Sequence, residues 1–163
     1  MNYGRIKKHD IANGPGVRVS LFVSGCDHKC KGCFNPETWN YHYGRVFTAK
    51  TFRDILEPLD RDSIAGLTIL GGEPLAPRNQ HIVTTVCRLV KEKYPNKDIW
   101  IYTGYSYDEV KDHAITNFID VLVDGPFIED LKDISLKYRG SSNQRIIDVK
   151  ASKSSGAVVL KEV

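Results

Sequence analysis

Apolar residues recur along this chain in two alternating rhythms. Runs rich in β-branched and apolar residues stand at 17–23 (VRVSLFV), 66–70 (GLTIL), 98–104 (DIWIYTG) and 118–125 (FIDVLVDG), and each reads as a strand. Between them, apolar positions return at helical spacing. Thr48 can cap a helix carrying Phe52, Ile55, Leu56 and Leu59, with Pro58 disturbing its end. A longer helix is predicted from about Asn79 to Tyr94. Ile82, Val83, Val86, Leu89 and Val90 share one face of it, and Pro95 closes it. Ser106 and Glu109 form a capping-box pattern that opens a short helix. The tail offers two further strand candidates, RIIDV at 145–149 and AVVL at 157–160, separated by a flexible turn, ASKSSG at 151–156.

Strands alternating with helices at this spacing predict an α/β fold built from βαβ units around a mostly parallel sheet. The unusual residues then share one location. The loop after 17–23 holds Cys26, Cys30 and Cys33. The loop after 66–70 is Gly71-Gly72-Glu73-Pro74, that after the third strand holds Thr103-Gly104, and that after the fourth holds Asp124-Gly125. In parallel α/β folds the loops that follow the strands gather at one face, and that face carries the site. Four separated segments are therefore expected to meet.

Composition narrows the class of protein. The 163 residues fit one domain, 1–163, with no linker, internal repeat or low-complexity stretch. Lys and Arg number 23 against 20 Asp and Glu, a net charge of +3 spread along the chain, which argues against a dedicated nucleic-acid binder. No apolar run reaches the roughly 20 residues that span a bilayer. The first residues, MNYGRIKKHD, lack the apolar stretch of a signal peptide, so a cytoplasmic, reducing location is expected. In such a compartment clustered cysteines bind metal or do chemistry more often than they pair.

Three of the four cysteines fall within eight residues, as C-D-H-K-C-K-G-C. Thiolates are soft ligands that suit iron–sulfur clusters or zinc. Three thiolates on a four-iron cluster leave one iron open, and an open position is what a catalytic metal site requires. An electron-carrying cluster takes four cysteines. Cys87 would have to be the fourth, and it lies within the predicted long helix beside the apolar stripe, where it reads as a small buried hydrophobe. Zinc is the alternative, with His28 or Cys87 completing a tetrahedral site in a non-enzymatic interaction module.

The C-x3-C-x2-C motif directly after the first strand, with Phe34 after its last cysteine, resembles the radical S-adenosylmethionine superfamily. The Gly71-Gly72-Glu73-Pro74 turn is similar to that family's segment for the methionyl amino group. Within the superfamily the chain resembles the glycyl-radical enzyme activases, and most closely those that serve anaerobic ribonucleoside-triphosphate reductases. That similarity rests on Asn13-Gly14-Pro15-Gly16, on CDHKCKGCFNPETWN from Cys26, on Trp100 to Tyr105, on Val123 to Phe127 and on Tyr138-Arg139-Gly140-Ser141-Ser142-Asn143-Gln144-Arg145. Some activases carry a basic residue where this chain has Pro126.

The resemblance implies a partial, open β/α barrel. It implies a [4Fe–4S] cluster on Cys26, Cys30 and Cys33, and S-adenosyl-L-methionine as cosubstrate against Gly32, Cys33, Phe34, Gly72 and Glu73. It implies reductive cleavage of that cosubstrate and a glycyl radical on the large catalytic subunit of the reductase, with no protein acid or base in the bond-breaking step. A low-potential electron donor such as flavodoxin is implied as a second partner, and a homodimer is one arrangement the resemblance allows. Another glycyl-radical activase, or another small radical enzyme, is the alternative within the superfamily. Asn13-Gly14-Pro15-Gly16 reads either as a rigid turn or as a wall of the site, and Asp124 as a cofactor or cation contact or as part of a turn. Arg139 and Arg145 could fork to a carboxylate of the partner. His28 is expected to face solvent, and Trp39 and Trp100 to be core or interface aromatics.

Overall fold

The computed structural model describes residues 1–163. Strands β1 (Asn2–Asp10), β2 (Val17–Val23) and β3 (Arg45–Val46) precede helix α1 (Ala49–Leu59). They are followed by β4 (Ile64–Gly71), α2 (Pro77–Lys93), β5 (Asp98–Tyr102), α3 (Tyr107–Val110), β6 (Val121–Asp124), β7 (Arg145–Asp148) and α4 (Val149–Ser155). Seven strands form one sheet in the order β3-β1-β2-β4-β5-β6-β7. The four central strands, β2, β4, β5 and β6, pair in parallel, as the alternating pattern predicts. The flanking strands β1, β3 and β7 pair antiparallel.

The two faces of the sheet differ in what covers them. Alternate residues of a strand point to opposite sides. Val19, Leu21, Leu67, Ile69, Ile99 and Ile101 join Ile55 and Leu59 of α1 and Val83, Val86 and Val90 of α2 in one core. Cys87 lies in that core with 0% exposure, the small buried hydrophobe its position predicted. No α-helix contributes to the apolar cluster on the other face, and the short 3-10 turn Pro36–Trp39 brings only Trp39 to its cavity. Phe22, Leu70, Tyr102 and Val123 from the four parallel strands line a cavity there, and Trp100 packs beside them with Val121, Val123 and Ile146.

Arg18 sits fully buried on this second face. A buried guanidinium is tolerated only when its donors are met. Its Nε donates to Thr68 Oγ1 at 2.8 Å, and its Nη atoms donate to the carbonyls of Leu67 and Pro15. Nη2 pairs with Asp98 Oδ1 at 2.8 Å, and the guanidinium lies over Trp100 at 5.6 Å. Arg18 thereby ties β2, β4 and β5 to the Asn13–Gly16 turn. Thr68 Oγ1 also donates to Asn13 O, and Asn13 Nδ2 to Asp10 Oδ2. The turn is therefore rigid, and Asn13 also reaches the cavity wall, so both readings of it hold.

Several elements differ from their sequence reading. β1 carries charged and half-buried residues in irregular order, and its pairing on β2 is what makes it a strand. α2 starts at Pro77, because Pro at the first turn lacks only a donor that would be orphaned anyway. Asn79, read as that helix's start, is buried inside it, and its amide donates to the carbonyls of Ser24 and Glu73. Ser106 makes no side-chain cap, and α3 is instead held by Tyr107 N–H donating to Asp124 Oδ2 at 2.8 Å. The fourth strand begins only at Val121, after a 3-10 turn over Ala114–Asn117. The ASKSSG stretch is helical within α4, capped by Asp148 and ended by Gly156 at φ 76°. The 157–160 candidate reduces to a single bridge between Leu160 and Ile147. The Thr48 cap of α1 forms as predicted, with Thr51 answering it.

Candidate active site

The loops after β2, β4, β5 and β6 do meet at one end of the sheet. They wall a cavity of about 530 Å³ that the second face of the sheet continues from below. Cys26, Cys30, Cys33, Phe34, Gly72 and Glu73 all line it, with Thr103 and Gly104 opposite. Gly32 falls just outside the wall, in a left-handed turn at φ 75° beside Glu129.

The cysteine loop is anchored at its ends by backbone bonds. Gly25 N–H donates to Thr38 O, Cys26 N–H to Trp39 O, and Glu73 N–H to Gly25 O. The turn after β4 presses so closely on this loop that a Cβ on Gly72 would stand 2.6 Å from Gly25 O, which is why glycine is needed there. Cys26 is buried, and Cys30 and Cys33 are partly exposed. Burial pushes the Cys26 thiol up to about 11, although the backbone N–H groups of His28 and Lys29 point at its sulfur. All three thiols face one cavity, yet no three cysteine, histidine or acidic side chains close on a common point.

Glu73 organises this end of the molecule. It is 1% exposed, and its carboxylate accepts from four donors. Oε2 takes Leu75 N–H at 2.9 Å and Thr103 Oγ1 at 2.8 Å, while Oε1 takes Gly104 N–H and His28 Nε2, each at 2.7 Å. His28 therefore does not face solvent as expected. Its side chain is 22% exposed, turned inward to a carboxylate that nothing in the sequence marks as its neighbour. Donating a hydrogen bond to the Glu73 carboxylate raises the His28 pKa above its ordinary value, against the effect of burial.

A strap formed by residues 128–144 runs along the rim of the cavity. Asp133 N–H donates to Gly140 O, Ser142 N–H to Leu131 O, and Tyr102 Oη to Tyr138 O at 2.6 Å. Phe34 is 59% exposed, packs on Phe127 at 4.9 Å and carries Lys132 over its ring. Arg145 turns inward. Its Nε and Nη2 fork to Asp124 at 3.1 and 2.6 Å, so the pair holds β6 to β7, with the Arg145 side chain still 40% exposed at the surface. Arg139 donates to Gln144 O and lines the cavity.

A family model described as a 4Fe-4S single cluster domain matches residues 12–147. The anaerobic ribonucleoside-triphosphate reductase-activating protein of Enterobacteria phage T4 is 44% identical over 146 residues, covering 90% of this chain and 93% of that protein. The chain belongs to this family of activating proteins. Its relatives of the same description in Escherichia coli K12 and Vibrio cholerae are each 44% identical, over 88% and 90% of this chain and 96% and 97% of their own.

The side chains of this activating-protein family member fit a cluster better than a single ion. Three soft donors line one cavity. Cys87 is removed from the site in the helix-side core, where burial pushes its thiol far up, and His28 is committed to Glu73. Trp39, read as a core or interface aromatic, lines the cavity, and its buried indole Nε1 has no acceptor in the protein. A buried donor left without an acceptor is rare in a folded protein, and a group with anionic sulfur in the cavity would supply one. Trp100 is a core aromatic, as expected.

Proposed function

We propose that this protein activates an anaerobic ribonucleoside-triphosphate reductase by cleaving S-adenosylmethionine reductively and generating a glycyl radical on the large reductase subunit. The reading is carried by one observation: Cys26, Cys30 and Cys33 share a cavity with the Gly72–Glu73 turn, at the loop end of the parallel strands. The relatives' descriptions and the 4Fe-4S domain match support it. Cys26, Cys30 and Cys33 would hold a [4Fe–4S] cluster, which would supply the single electron for reductive cleavage of S-adenosylmethionine to methionine and the 5′-deoxyadenosyl radical that would abstract the glycine hydrogen atom.

The chain's own residues bind and orient. Cys26, Cys30 and Cys33 are the metal ligands. Cys33, Phe34, Gly72 and Glu73 form the seat of the cosubstrate, with Gly32 supporting it from the turn just outside the wall. Glu73 contributes through its main chain and through the loops it fixes, because its carboxylate already accepts four hydrogen bonds. The second face of the sheet makes the body of the cavity, in a single domain that corresponds to a partial, open β/α barrel. The strap over 128–144 lies where a glycine-bearing loop of the reductase enters. No helix is long and apolar enough to cross a membrane. A cytoplasmic setting, with flavodoxin or a similar low-potential carrier as electron donor, follows from this reading.

The test is an anaerobically reconstituted sample. Wild-type protein with dithionite forms 5′-deoxyadenosine, and Cys30→Ala forms none. A Cys30→Ala rate equal to wild type refutes the ligand assignment. Stoichiometric zinc in a colourless, inactive wild-type protein refutes the enzyme reading in favour of a zinc-bound module.

A further inference from the structure

Between Cys26 and Cys33 the cysteine loop has few ties to the rest of the protein. Asp27 accepts from Tyr41 Oη at 3.0 Å on the exposed side, and Lys31 stands 3.8 Å from Glu129 with its own side chain 92% exposed. An exposed pair of this kind contributes little. Lys29 holds a left-handed φ of 50°, which a lysine adopts only under local constraint. The one inward tie is His28, whose Nε2 lies 2.7 Å from Glu73 Oε1 while its ring meets Tyr105 edge-on at 4.7 Å.

The pocket that receives the imidazole is shaped on the far side by Gly104. A Cβ there would stand 2.6 Å from His28 Cδ2, and the Gly104 N–H shares Oε1 with His28. Three loops, after β2, β4 and β5, are therefore pinned to one another through a single buried carboxylate. Without His28, the part of the loop that bears Cys30 keeps only its exposed contacts.

We propose that His28 is a positioning residue: by clasping Glu73 it sets where Cys30 and Cys33 stand relative to the Gly72–Glu73 turn, and so fixes the approach of the metal site to the cosubstrate. This rests on the function proposed above. His28 borders the cavity, but its Nε2 is committed to Glu73, and it acts through the loop that carries the ligands. A displacement of about 1 Å between reacting groups costs up to about 100-fold in rate. Releasing the clasp thus lowers the rate of bond cleavage more than it weakens cosubstrate binding, because the Gly72–Glu73 turn keeps its part of the seat through Leu75 N–H, Thr103 Oγ1 and the Gly25 carbonyl.

The experiment compares wild type, His28→Ala and His28→Gln as full-length chains. A glutamine amide donates to Glu73 from nearly the same position as Nε2. Before reconstitution, amide exchange by mass spectrometry speeds up across residues 27–32 and at Gly104 in His28→Ala, and returns towards wild type in His28→Gln. After reconstitution with equal iron, His28→Ala lowers kcat for 5′-deoxyadenosine about 10- to 100-fold with KM for S-adenosylmethionine changed less than about threefold. His28→Gln recovers most of kcat. The electron paramagnetic resonance change on adding S-adenosylmethionine to the reduced protein broadens in His28→Ala and sharpens again in His28→Gln. Iron lost in His28→Ala but retained in His28→Gln supports the same clasp. Wild-type kcat and exchange in His28→Ala, or equal impairment of both variants, overturns it. If wild type itself makes no 5′-deoxyadenosine, the proposed function fails, and amide exchange still decides whether the clasp exists.

Discussion

Replacing Glu73 by glutamine removes one charge from the centre of the site and almost no volume, so the outcome isolates hydrogen bonding. The amide can keep only one oxygen. Kept towards Gly104 N–H and His28, it leaves the new NH2 facing Thr103 and Leu75. Thr103 Oγ1 can turn to accept, but Leu75 N–H cannot, and it is left buried without a partner. An orphaned buried donor costs about 1–3 kcal/mol. The surviving bonds lose their charged acceptor, for about 0.5–1 kcal/mol each by the difference between charged and neutral hydrogen bonds. The sum is about 2–5 kcal/mol, a large share of the roughly 5–15 kcal/mol available to a domain. Flipping the amide strands Gly104 N–H instead and gives the same sum. Urea unfolding of the full chain before reconstitution, followed by circular dichroism, reads this as a lowered midpoint at unchanged slope. A loss below about 1 kcal/mol refutes the view that this carboxylate holds three loops together.

Two further outcomes follow from the same geometry. Gly104→Ala pushes a methyl group into the His28 ring, so it lowers kcat for 5′-deoxyadenosine in wild type but adds little in a His28→Ala background; additive losses in that double-mutant cycle contradict the contact. Asp120, just before β6, accepts from Lys91, Lys150 and the Ile99 N–H of β5, and these bonds outweigh the upward push of burial and hold its carboxyl below the usual range. A lowered folded-state pKa stabilises above the unfolded value of about 3.9 and is lost as pH falls through the folded value. Asp120→Asn therefore destabilises by about 1–3 kcal/mol at pH 7, and the gap from wild type narrows in urea titrations run below about pH 4; a gap that is constant with pH contradicts the assignment.

The chain's one-dimensional pattern determined a good deal by itself. β-branched runs alternating with amphipathic segments required parallel strands connected by helices, because each strand run is too apolar to face water and each helix stripe needs a sheet to cover it. Placing Cys26, Cys30 and Cys33, the Gly71–Pro74 turn, Thr103 and Asp124 directly after strands then brought them to one end, since parallel strands present the same end to the loops that follow. Cys87 was assignable to the core from its helix stripe alone.

What the pattern left open was decided by contacts between residues far apart in the chain. β1 is a strand because β2 offers it an edge, and 157–160 is not one because it meets β7 through a single bridge, Leu160 to Ile147. His28 and Glu73 are 45 positions apart, and Asp124 and Arg145 are 21 apart. A histidine in a polar loop, or an arginine at the start of a strand, has the same local signature whether it faces water or a buried carboxylate. Only the packing of loops that desolvates the carboxylate selects the partner, because a charge taken out of water must be answered at short range.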